Sequence, residues 1–257
     1  MNNENGKMYH IGLSKEDIKG AEYAIIAGDP GRIPIIANYL NNPVKLVTNR
    51  EYTSYLGEIN NQKILVISHG IGGPSTAICV EELSQIGIKN IIRIGTCGGM
   101  DLNVLAGDIV IANAAIRQEG TTKEYMPVEF PAVSNFELTY TLKTTASKMG
   151  YRNHVGIVQC KDSFYGQHNP ERMPVSYELE NKWHSWLKGH CLASEMESAT
   201  LFIVSQILNI KSACILLSVW NQERRNKGLI EENSFDMDSP IKVAVESLKK
   251  IIGDKYE

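Results

Sequence analysis

Short apolar runs alternate with longer amphipathic segments along most of the chain. The apolar runs have the length and the β-branched content of buried strands, and they occupy residues 23–27, 64–68, 90–94, 108–112, 156–160, 191–195 and 212–219. Helical periodicity appears between several of them, at residues 75–86, 137–149, 197–207 and 240–252. Strands that alternate with helices predict an α/β sandwich with a largely parallel or mixed sheet. In such sheets ligands bind beyond the carboxyl ends of the strands.

Arg93 interrupts the third apolar run, in the segment I-I-R-I-G, which continues into T-C-G-G at residues 96–99. A central parallel strand is buried on both faces, and a buried, unpaired guanidinium costs several kcal/mol. We therefore expect this cation to face an anion, and phosphate suits the planar fork of arginine. An internal ion pair with a buried Asp or Glu is the alternative. The small residues at 96–99 predict a turn whose N–H groups can approach the anion.

Two further glycine turns follow predicted strands. G-D-P-G-R at residues 28–32 leads into the helical pattern I-P-I-I-A-N-Y-L, and G-I-G-G-P-S at residues 70–75 leads into the helix at 75–86. A strand, a glycine turn and a helix N-terminus together present free N–H groups and a positive dipole end, which suits an anion. A tight turn without a ligand is the alternative, because such turns favour Gly, Asp and Pro in any case.

Two acidic residues, Glu195 and Glu197, lie where the sixth predicted strand meets the next helix. Spacing of two directs both carboxylates to one face, or they flank a turn in which Met196 lies over a ligand. A carboxylate accepts two O–H groups at once and so suits a vicinal diol. The alternative is a solvated helix start, with acidic side chains at the positive end of the dipole.

A loop is predicted at residues 163–174, S-F-Y-G-Q-H-N-P-E-R-M-P. Phe164 can stack on a flat ring, and Gln167 and Arg172 can donate hydrogen bonds to carbonyl oxygens. The same composition is also that of an ordinary surface loop, which is the alternative.

Length and charge narrow the class of protein. The chain has 257 residues without a linker, repeat or charge block, so we expect one domain over residues 1–257. Lys and Arg number 26 against 29 Asp and Glu, a net charge of −3 without clusters of either sign, which argues against a nucleic-acid surface. No apolar run approaches the roughly 20 residues of a membrane span, and the polar N-terminus lacks the core of a signal peptide, so we expect a cytoplasmic protein.

Proteins that bind a nucleotide cofactor or a metal ion fit this sequence less well. Gly70, Gly72 and Ser75 are spaced like a dinucleotide fingerprint, but no acidic residue near 89–90 is available to hold a ribose. A G-x-x-x-x-G-K-[ST] loop and an H-E-x-x-H motif are absent, and the six histidines have no metal-ligand spacing. The five cysteines contain no C-x-x-C, so neither a disulfide framework nor a zinc site is indicated. Cys97, within T-C-G-G, is the one expected to face a ligand.

Six motifs follow one another along essentially the whole chain: G-D-P-G-R, N-R-E-Y, G-I-G-G-P-S, R-I-G-T-C-G-G, E-F-P-A-V-S-N-F-E and S-E-M-E-S-A-T. In this set and this order the chain resembles the nucleoside phosphorylase family, and among its members those that cleave uridine. The resemblance implies a three-layer α/β sandwich around a mixed, largely parallel central sheet, and a homohexamer built as a trimer of dimers. It also implies a pentosyltransferase of pyrimidine salvage, which converts uridine, or deoxyuridine, and phosphate to uracil and ribose 1-phosphate without an organic cofactor.

The resemblance implies roles residue by residue, with Arg93, Glu197 and His10 as the catalytic residues. The implied phosphate site consists of Gly28, Arg32, Arg93, Thr96 and, from the neighbouring subunit, Arg50. The implied ribose site consists of Glu195, Met196, Glu197 and, from the neighbour, His10. The implied base site consists of Cys97, Gly98, Phe164, Gln167, Arg172 and Asn221. A monovalent cation, potassium or sodium, is implied at the dimer interface by Glu51, Ile71 and Ser75.

Two positions depart from the family's pattern. Gln167 and Arg172 are five residues apart, whereas the bacterial pattern places glutamine and arginine two apart. Purine-cleaving relatives carry an aspartate that protonates the leaving purine, and Asn221 stands there instead. An amide cannot supply that proton, which favours a pyrimidine. The alternatives are a purine nucleoside phosphorylase of the same fold, a nucleosidase that uses water, and a non-catalytic nucleoside-binding protein. Neither of the last two explains three arginines directed at one anion.

Overall fold

A computed structural model describes residues 6–229 and 232–253 of the chain. The expected domain, residues 1–257, thus includes short segments that lie outside the described residues, and its single-domain character stays a prediction. No helix in the described ranges has the length and apolar character that crossing a bilayer requires.

The strands recur from one end of the described chain to the other. They are β1 Tyr23–Ala27, β2 Asn41–Asn49, β3 Tyr52–Ile59, β4 Gln62–Ser68, β5 Asn90–Gly99, β6 Ile109–Arg117, β7 Ala132–Val133, β8 Asn153–Cys160, β9 Ala193–Glu195 and β10 Lys211–Asn221. The α-helices are α1 Arg32–Ala37, α2 Gly73–Ile86, α3 Phe136–Lys148, α4 Phe164–His168, α5 Ser176–Lys188, α6 Ser198–Ile207, α7 Gln222–Asn226 and α8 Asp238–Gly253. Two short 3₁₀ helices are added at Thr121–Glu124 and Pro170–Arg172.

All of these strands belong to one mixed sheet, with the order β10-β6-β8-β9-β5-β1-β4-β3-β2 and β7 beside β6. Strand β5 lies at its centre. Its first half pairs in parallel with β1, its whole length pairs in parallel with β10, and its last two residues pair with β9. Because β10 also pairs with β6, five strands close into a ring, in which β5 and β10 run antiparallel to β6, β8 and β9.

Helices cover the sheet on both faces, and the period of β1 shows how the sequence produces this. Ala24 and Ile26 point into one apolar cluster with the inner faces of α2 and α6, whereas Tyr23 and Ile25 point into a second cluster with α1, α3 and α8. Side chains alternate across a strand, so a continuous apolar run is what a strand between two helical layers requires. The predicted three-layer α/β class with a mixed sheet is confirmed.

Most predicted elements are present, and four corrections arise. The segment 96–99 is not a turn, because it continues β5 and pairs with β10. The predicted loop at 163–174 contains helix α4, whose first turn is capped by Ser163. The hairpin β2–β3 and helix α5 are not predicted by the pattern. Strand β2 is largely exposed and polar, and only its pairing with β3 makes it a strand.

Candidate active site

A cavity of about 910 Å³ opens at the carboxyl ends of the central strands. Twelve of the predicted site residues line it: Gly28, Arg32, Glu51, Ile71, Arg93, Thr96, Cys97, Gly98, Phe164, Glu195, Met196 and Glu197. Six others do not: His10, Arg50, Ser75, Gln167, Arg172 and Asn221. Lining residues that the sequence reasoning missed include Lys161, His168, Ser194, Trp220 and Arg225.

Arg93 is 3% exposed and lies at the floor of the cavity. Its Nη1 is 3.2 Å from Glu195 Oε2, and its Nη2 contacts Glu197 Oε2. The guanidinium reaches these carboxylates by lying over the backbone of Gly95, where an added Cβ would come within 2.5 Å of Nη1. The internal ion pair and the ligand-facing cation were alternatives from the sequence, and the structure combines them: Arg93 is paired with two buried acids and also lines the cavity.

Charge and burial act in opposite directions on Arg93 and on its partner Glu197. Burial by itself lowers the pKa of Arg93, but the charges of Glu197 and Glu195 outweigh it, and the net shift is upward. Burial raises the pKa of Glu197, and Arg93 offsets part of that increase. The ion pair therefore keeps an arginine and its carboxylates in a site from which water is largely excluded.

His69 fixes the remaining edge of the guanidinium. Arg93 Nε donates to His69 Nε2 at 3.3 Å, so the His69 Nδ1–H faces Thr76 Oγ1 at 3.0 Å. Burial, followed by the charge of Arg93, lowers the pKa of His69 well below its usual range. His69 is thus a neutral acceptor that orients Arg93. The apolar strand pattern before residue 69 does not predict a site residue at this position.

The two acids hold the start of helix α6. Glu195 Oε2 accepts the N–H groups of Glu197 and Ser198 at 2.9 and 3.0 Å, and Glu197 Oε1 accepts the N–H of Gly72 at 2.6 Å. Both residues are at most 5% exposed, which contradicts the alternative of a solvated helix start. Met196 lies between them and lines the cavity.

The two glycine turns contact each other beside Arg93. Gly70 N donates to Gly28 O at 3.1 Å, and a Cβ on Gly28 would lie 2.9 Å from Gly70 O, so only glycine permits this approach. Arg32 follows in α1 and lines the same end of the cavity. Burial lowers the pKa of Arg32, Asp29 opposes that shift and Arg93 adds to it. Two guanidiniums at one wall form a site suited to an anion.

The opposite end of the cavity is aromatic. The ring centroids of Phe164 and His168 are 4.4 Å apart, and those of His168 and Trp220 are 5.1 Å apart. Arg225 lies over the Trp220 ring at 4.4 Å. His168 Nδ1 is 2.9 Å from Gln222 Oε1, and burial lowers the pKa of His168. Flat rings beside donors suit a planar heterocycle.

Three residues predicted at the base site lie elsewhere. Gln167 is buried behind the wall, where its Oε1 accepts from Gln159 Nε2 at 2.8 Å. Arg172 is exposed and lies 5.6 Å over the ring of Tyr165. Asn221 caps α7 by accepting from Arg224 N at 2.9 Å, and its amide donates to the carbonyls of residues 101 and 104. Its hydrogen-bonding groups are engaged within the fold, and Asn221 does not line the cavity.

His10 and Arg50 lie together on the surface, apart from the cavity. His10 Nδ1 is 2.7 Å from Glu82 Oε1, and the His10 carbonyl accepts from Asn49 at 2.7 Å. Arg50 lies over the ring of Tyr9 at 5.7 Å and adopts a left-handed φ of 52°. The two residues are brought to one patch, although 40 positions separate them in the sequence.

The three predicted cation-site residues meet around Gly70. A Cβ on Gly70 would lie 3.0 Å from Glu51 Cγ and 3.2 Å from Ser75 Oγ, and Ser75 Oγ donates to Ile71 O at 3.1 Å. Within the described ranges, no cluster of three His, Cys, Asp or Glu side chains has the geometry to hold a metal ion.

Comparisons with known proteins agree with this geometry. The sequence model of the phosphorylase superfamily matches residues 22–252. A uridine phosphorylase of Treponema pallidum (strain Nichols) is 50% identical over 244 residues, which are 95% of this chain and 94% of the relative. A uridine phosphorylase of Haemophilus influenzae is 38% identical over 94% of this chain and 98% of its own length. A guanosine phosphorylase of Halorubrum lacusprofundi is 34% identical over 81% of both chains.

Proposed function

The chain belongs to the phosphorylase superfamily, and from this membership we propose that it catalyses the phosphorolysis of uridine. An oxygen of phosphate forms a bond to C1′ of the ribose while the bond from C1′ to N1 of uracil breaks. The electron pair of that bond leaves with the base, which then takes up a proton. The observation that carries the proposal is that one cavity combines three features: an anion-binding site formed by the cation of Arg93, two buried carboxylates and an aromatic wall.

Phosphate binds at the end of the cavity formed by the glycine turns. Arg32 and Arg93 supply charge, and the backbone at Gly28 and the Thr96 hydroxyl supply further donors. Arginine forks hold phosphate oxygens in a fixed orientation, which places the attacking oxygen without a metal ion. Phosphate is therefore the co-substrate, and no organic cofactor is required.

Glu197, with Met196 beside it, binds the ribose hydroxyls. The transition state is similar to an oxocarbenium ion, so the sugar carries positive charge between phosphate on one side and the departing base on the other. A carboxylate beneath the ring stabilises that charge. Glu195 supports Glu197 by fixing its backbone N–H at 2.9 Å. Arg93 contacts Glu197 and so links the phosphate site to the ribose site.

Two neighbouring subunits share each site. The patch of His10 and Arg50 lies apart from its own cavity, as residues that reach the site of a partner must, and a two-fold interface exchanges such residues reciprocally. His10 then binds the 5′-hydroxyl, and Arg50 completes the phosphate site. The assembly is a homohexamer, a trimer of dimers, with potassium or sodium beside Glu51, Ile71 and Ser75. The enzyme works in the cytoplasm, in pyrimidine salvage.

The test is the ultraviolet absorbance of uridine during incubation with the protein, with and without inorganic phosphate. We expect loss of uridine, and formation of ribose 1-phosphate, only when phosphate is present. Equal rates in phosphate-free buffer would identify a nucleosidase instead. No turnover of any nucleoside, with measurable binding, would identify a non-catalytic nucleoside-binding protein.

A purine nucleoside phosphorylase is the second candidate, because a guanosine phosphorylase is among the relatives. Asn221 does not separate the two functions by contact with the base, since its side chain is committed to the fold. Inosine, guanosine, uridine and deoxyuridine should be compared at equal concentration with phosphate. Turnover of inosine or guanosine at the rate of uridine would favour the second candidate.

A further inference from the structure

Lys161 is a buried cation in the cavity wall to which no role has been given so far. It directly follows β8, and its backbone N–H donates to the carbonyl of Glu195 at 3.1 Å, which fixes the residue beside the carboxylates. The side chain is 4% exposed and lines the cavity. Its Nζ donates to Ser194 Oγ at 2.5 Å.

The ammonium group of Lys161 has more N–H donors than acceptor groups around it. It carries three N–H donors, and Ser194 Oγ is its one hydrogen-bond partner among the described residues. No carboxylate in the described ranges forms an ion pair with it, and the two nearby acids, Glu195 and Glu197, are paired with Arg93. Burial lowers the pKa of Lys161, and the charges of Glu195 and Glu197 oppose that shift. A buried ammonium without a carboxylate partner costs stability, so its retention indicates a partner that arrives with the substrate.

The position of Lys161 indicates which part of the substrate that partner belongs to. Ser194, its partner, is paired with Gly98 of β5, so the ammonium lies next to the strand end that separates the carboxylates from the aromatic wall. Gly98 in turn faces that wall, since a Cβ on Gly98 would lie 3.4 Å from Trp220 Nε1. The arginine expected at the base, Arg172, is exposed outside the cavity.

We propose that Lys161 is a catalytic residue whose Nζ donates a hydrogen bond to O2 of the pyrimidine, the carbonyl oxygen next to the glycosidic nitrogen. This inference rests on the proposed uridine phosphorolysis. When the bond from C1′ to N1 breaks, its electron pair spreads over N1, O2 and O4 of the leaving base. O2 is the carbonyl oxygen nearest the ribose, and Lys161 lies at that junction. The ammonium keeps its proton and stabilises the base as an anion.

The test compares Lys161→Met and Lys161→Gln with the unmodified protein, on uridine and on 5-fluorouridine. Removal of one charge-assisted hydrogen bond should lower kcat/KM for uridine roughly ten- to a hundredfold. The loss should be smaller for 5-fluorouridine, because fluorine makes the departing base a weaker base that needs less stabilisation. Lys161→Gln retains an N–H donor and should recover part of the loss. Lys182→Met, on the exposed face of α5, is the control and should leave kcat/KM unchanged for both substrates.

Thermal unfolding separates a catalytic role from a structural one. Neither Lys161 variant should unfold at a lower temperature than the unmodified protein, since each removes a buried cation without a carboxylate partner. A loss of activity equal for the two nucleosides would overturn the proposal, as would full activity of Lys161→Met. So would a loss that depends on the leaving base in Arg172→Met but not in Lys161→Met. Failure of the unmodified protein to cleave either nucleoside would instead refute the proposed function.

Discussion

The two ends of the cavity are built differently. At the end with Arg93, the ion-pair network of Arg93, Glu195 and Glu197 comes from the central strand and from the residues before α6. These three residues are at most 5% exposed and use nearly all of their hydrogen-bonding groups within the network and its neighbours. At the other end, Phe164 and Arg225 come from helices of five residues each, and Phe164 is 50% exposed. The first end is a closed network, whereas the second is a set of contacting, mutually tilted rings that is partly open to solvent.

This difference suits the proposed reaction. During bond cleavage positive charge develops on the ribose beside the phosphate, so the groups around both must already be oriented before the substrate arrives. The base is recognised mainly by shape, stacking and a few donors. A short helix can change these contacts without disturbing the sheet. We therefore expect substitutions at the first end to affect stability and kcat, and substitutions at the second to affect KM.

The largest effect is expected for Arg93→Met. It removes two charge-assisted hydrogen bonds worth about 1.5–3 kcal/mol each, so kcat/KM for phosphorolysis should fall by roughly two to four orders of magnitude. It also leaves two buried carboxylates without their cation, which should lower the free energy of unfolding by about 3–5 kcal/mol. Steady-state kinetics and urea unfolding measure the two losses.

Arg152→Met is the matched control for Arg93. Arg152 pairs with Asp108 at 2.9 Å, but its side chain is 55% exposed, so its removal should cost at most about 1 kcal/mol and no activity. A loss of less than tenfold in Arg93→Met would mean that the buried end does not hold the phosphate.

The proposed sharing of each site by two subunits predicts complementation between two inactive variants. In that proposal Arg50→Ala lacks the residue lent to the partner, and Glu197→Ala lacks the ribose carboxylate. When the two are unfolded and refolded together, half of the dimers should be mixed, and each mixed dimer has one site with both residues intact. Activity should return to about a quarter of that of the unmodified protein. If co-refolding restores nothing while subunit exchange is demonstrated by mass, the closed end is complete within one chain.

A smaller effect is expected in the pH dependence of stability, through His69. In the unfolded chain His69 takes up a proton near the ordinary histidine pKa of about 6.5. In the folded protein the buried ring has a lowered pKa and stays neutral at that pH. The stability it contributes is therefore fully present above that pH and is lost as the pH falls below it. His69→Asn, which keeps a neutral acceptor for Arg93, should give a shallower decrease of unfolding free energy between about pH 7 and 5.

His184→Asn serves as the control for His69, because His184 is exposed on α5. Its stability should follow the pH curve of the unmodified protein. Parallel curves for His69→Asn and the unmodified protein would show that the ring takes up a proton as readily in the folded as in the unfolded state, and a persistently neutral acceptor would be wrong.

The smallest effect is expected at the open end, for Arg225→Met. Stacking of Arg225 on Trp220 at 4.4 Å is worth about 0.5–1 kcal/mol at an exposed site, so KM for uridine should rise roughly two- to fivefold with kcat nearly unchanged. Lys227→Met, just beyond α7, is the control and should leave both constants unchanged. A fall in kcat in Arg225→Met would mean that the open end also takes part in the chemical step.

Local patterns in the sequence predict the closed end well. Arg93 is a charge in an apolar strand. Gly28 is a glycine directly after a strand, where the backbone must allow a close approach. Glu195 and Glu197 mark a strand-to-helix junction. Each signal lies within a few residues of the group it reveals. The periodicity of β1 also predicts the two helical layers, because alternate side chains must be buried on both faces.

The sequence by itself thus determined the α/β class, the strand ends that carry the chemistry, and the kinds of group found there. Tertiary structure decided how these groups are paired: that Arg93 binds both acids, that Lys161 and His168 enter the cavity, and that Arg172 stays outside it. The reason is physical. Strand position along the chain is encoded by local periodicity, whereas the sideways order of the strands and the competition of buried charges for partners depend on residues that lie far apart in sequence.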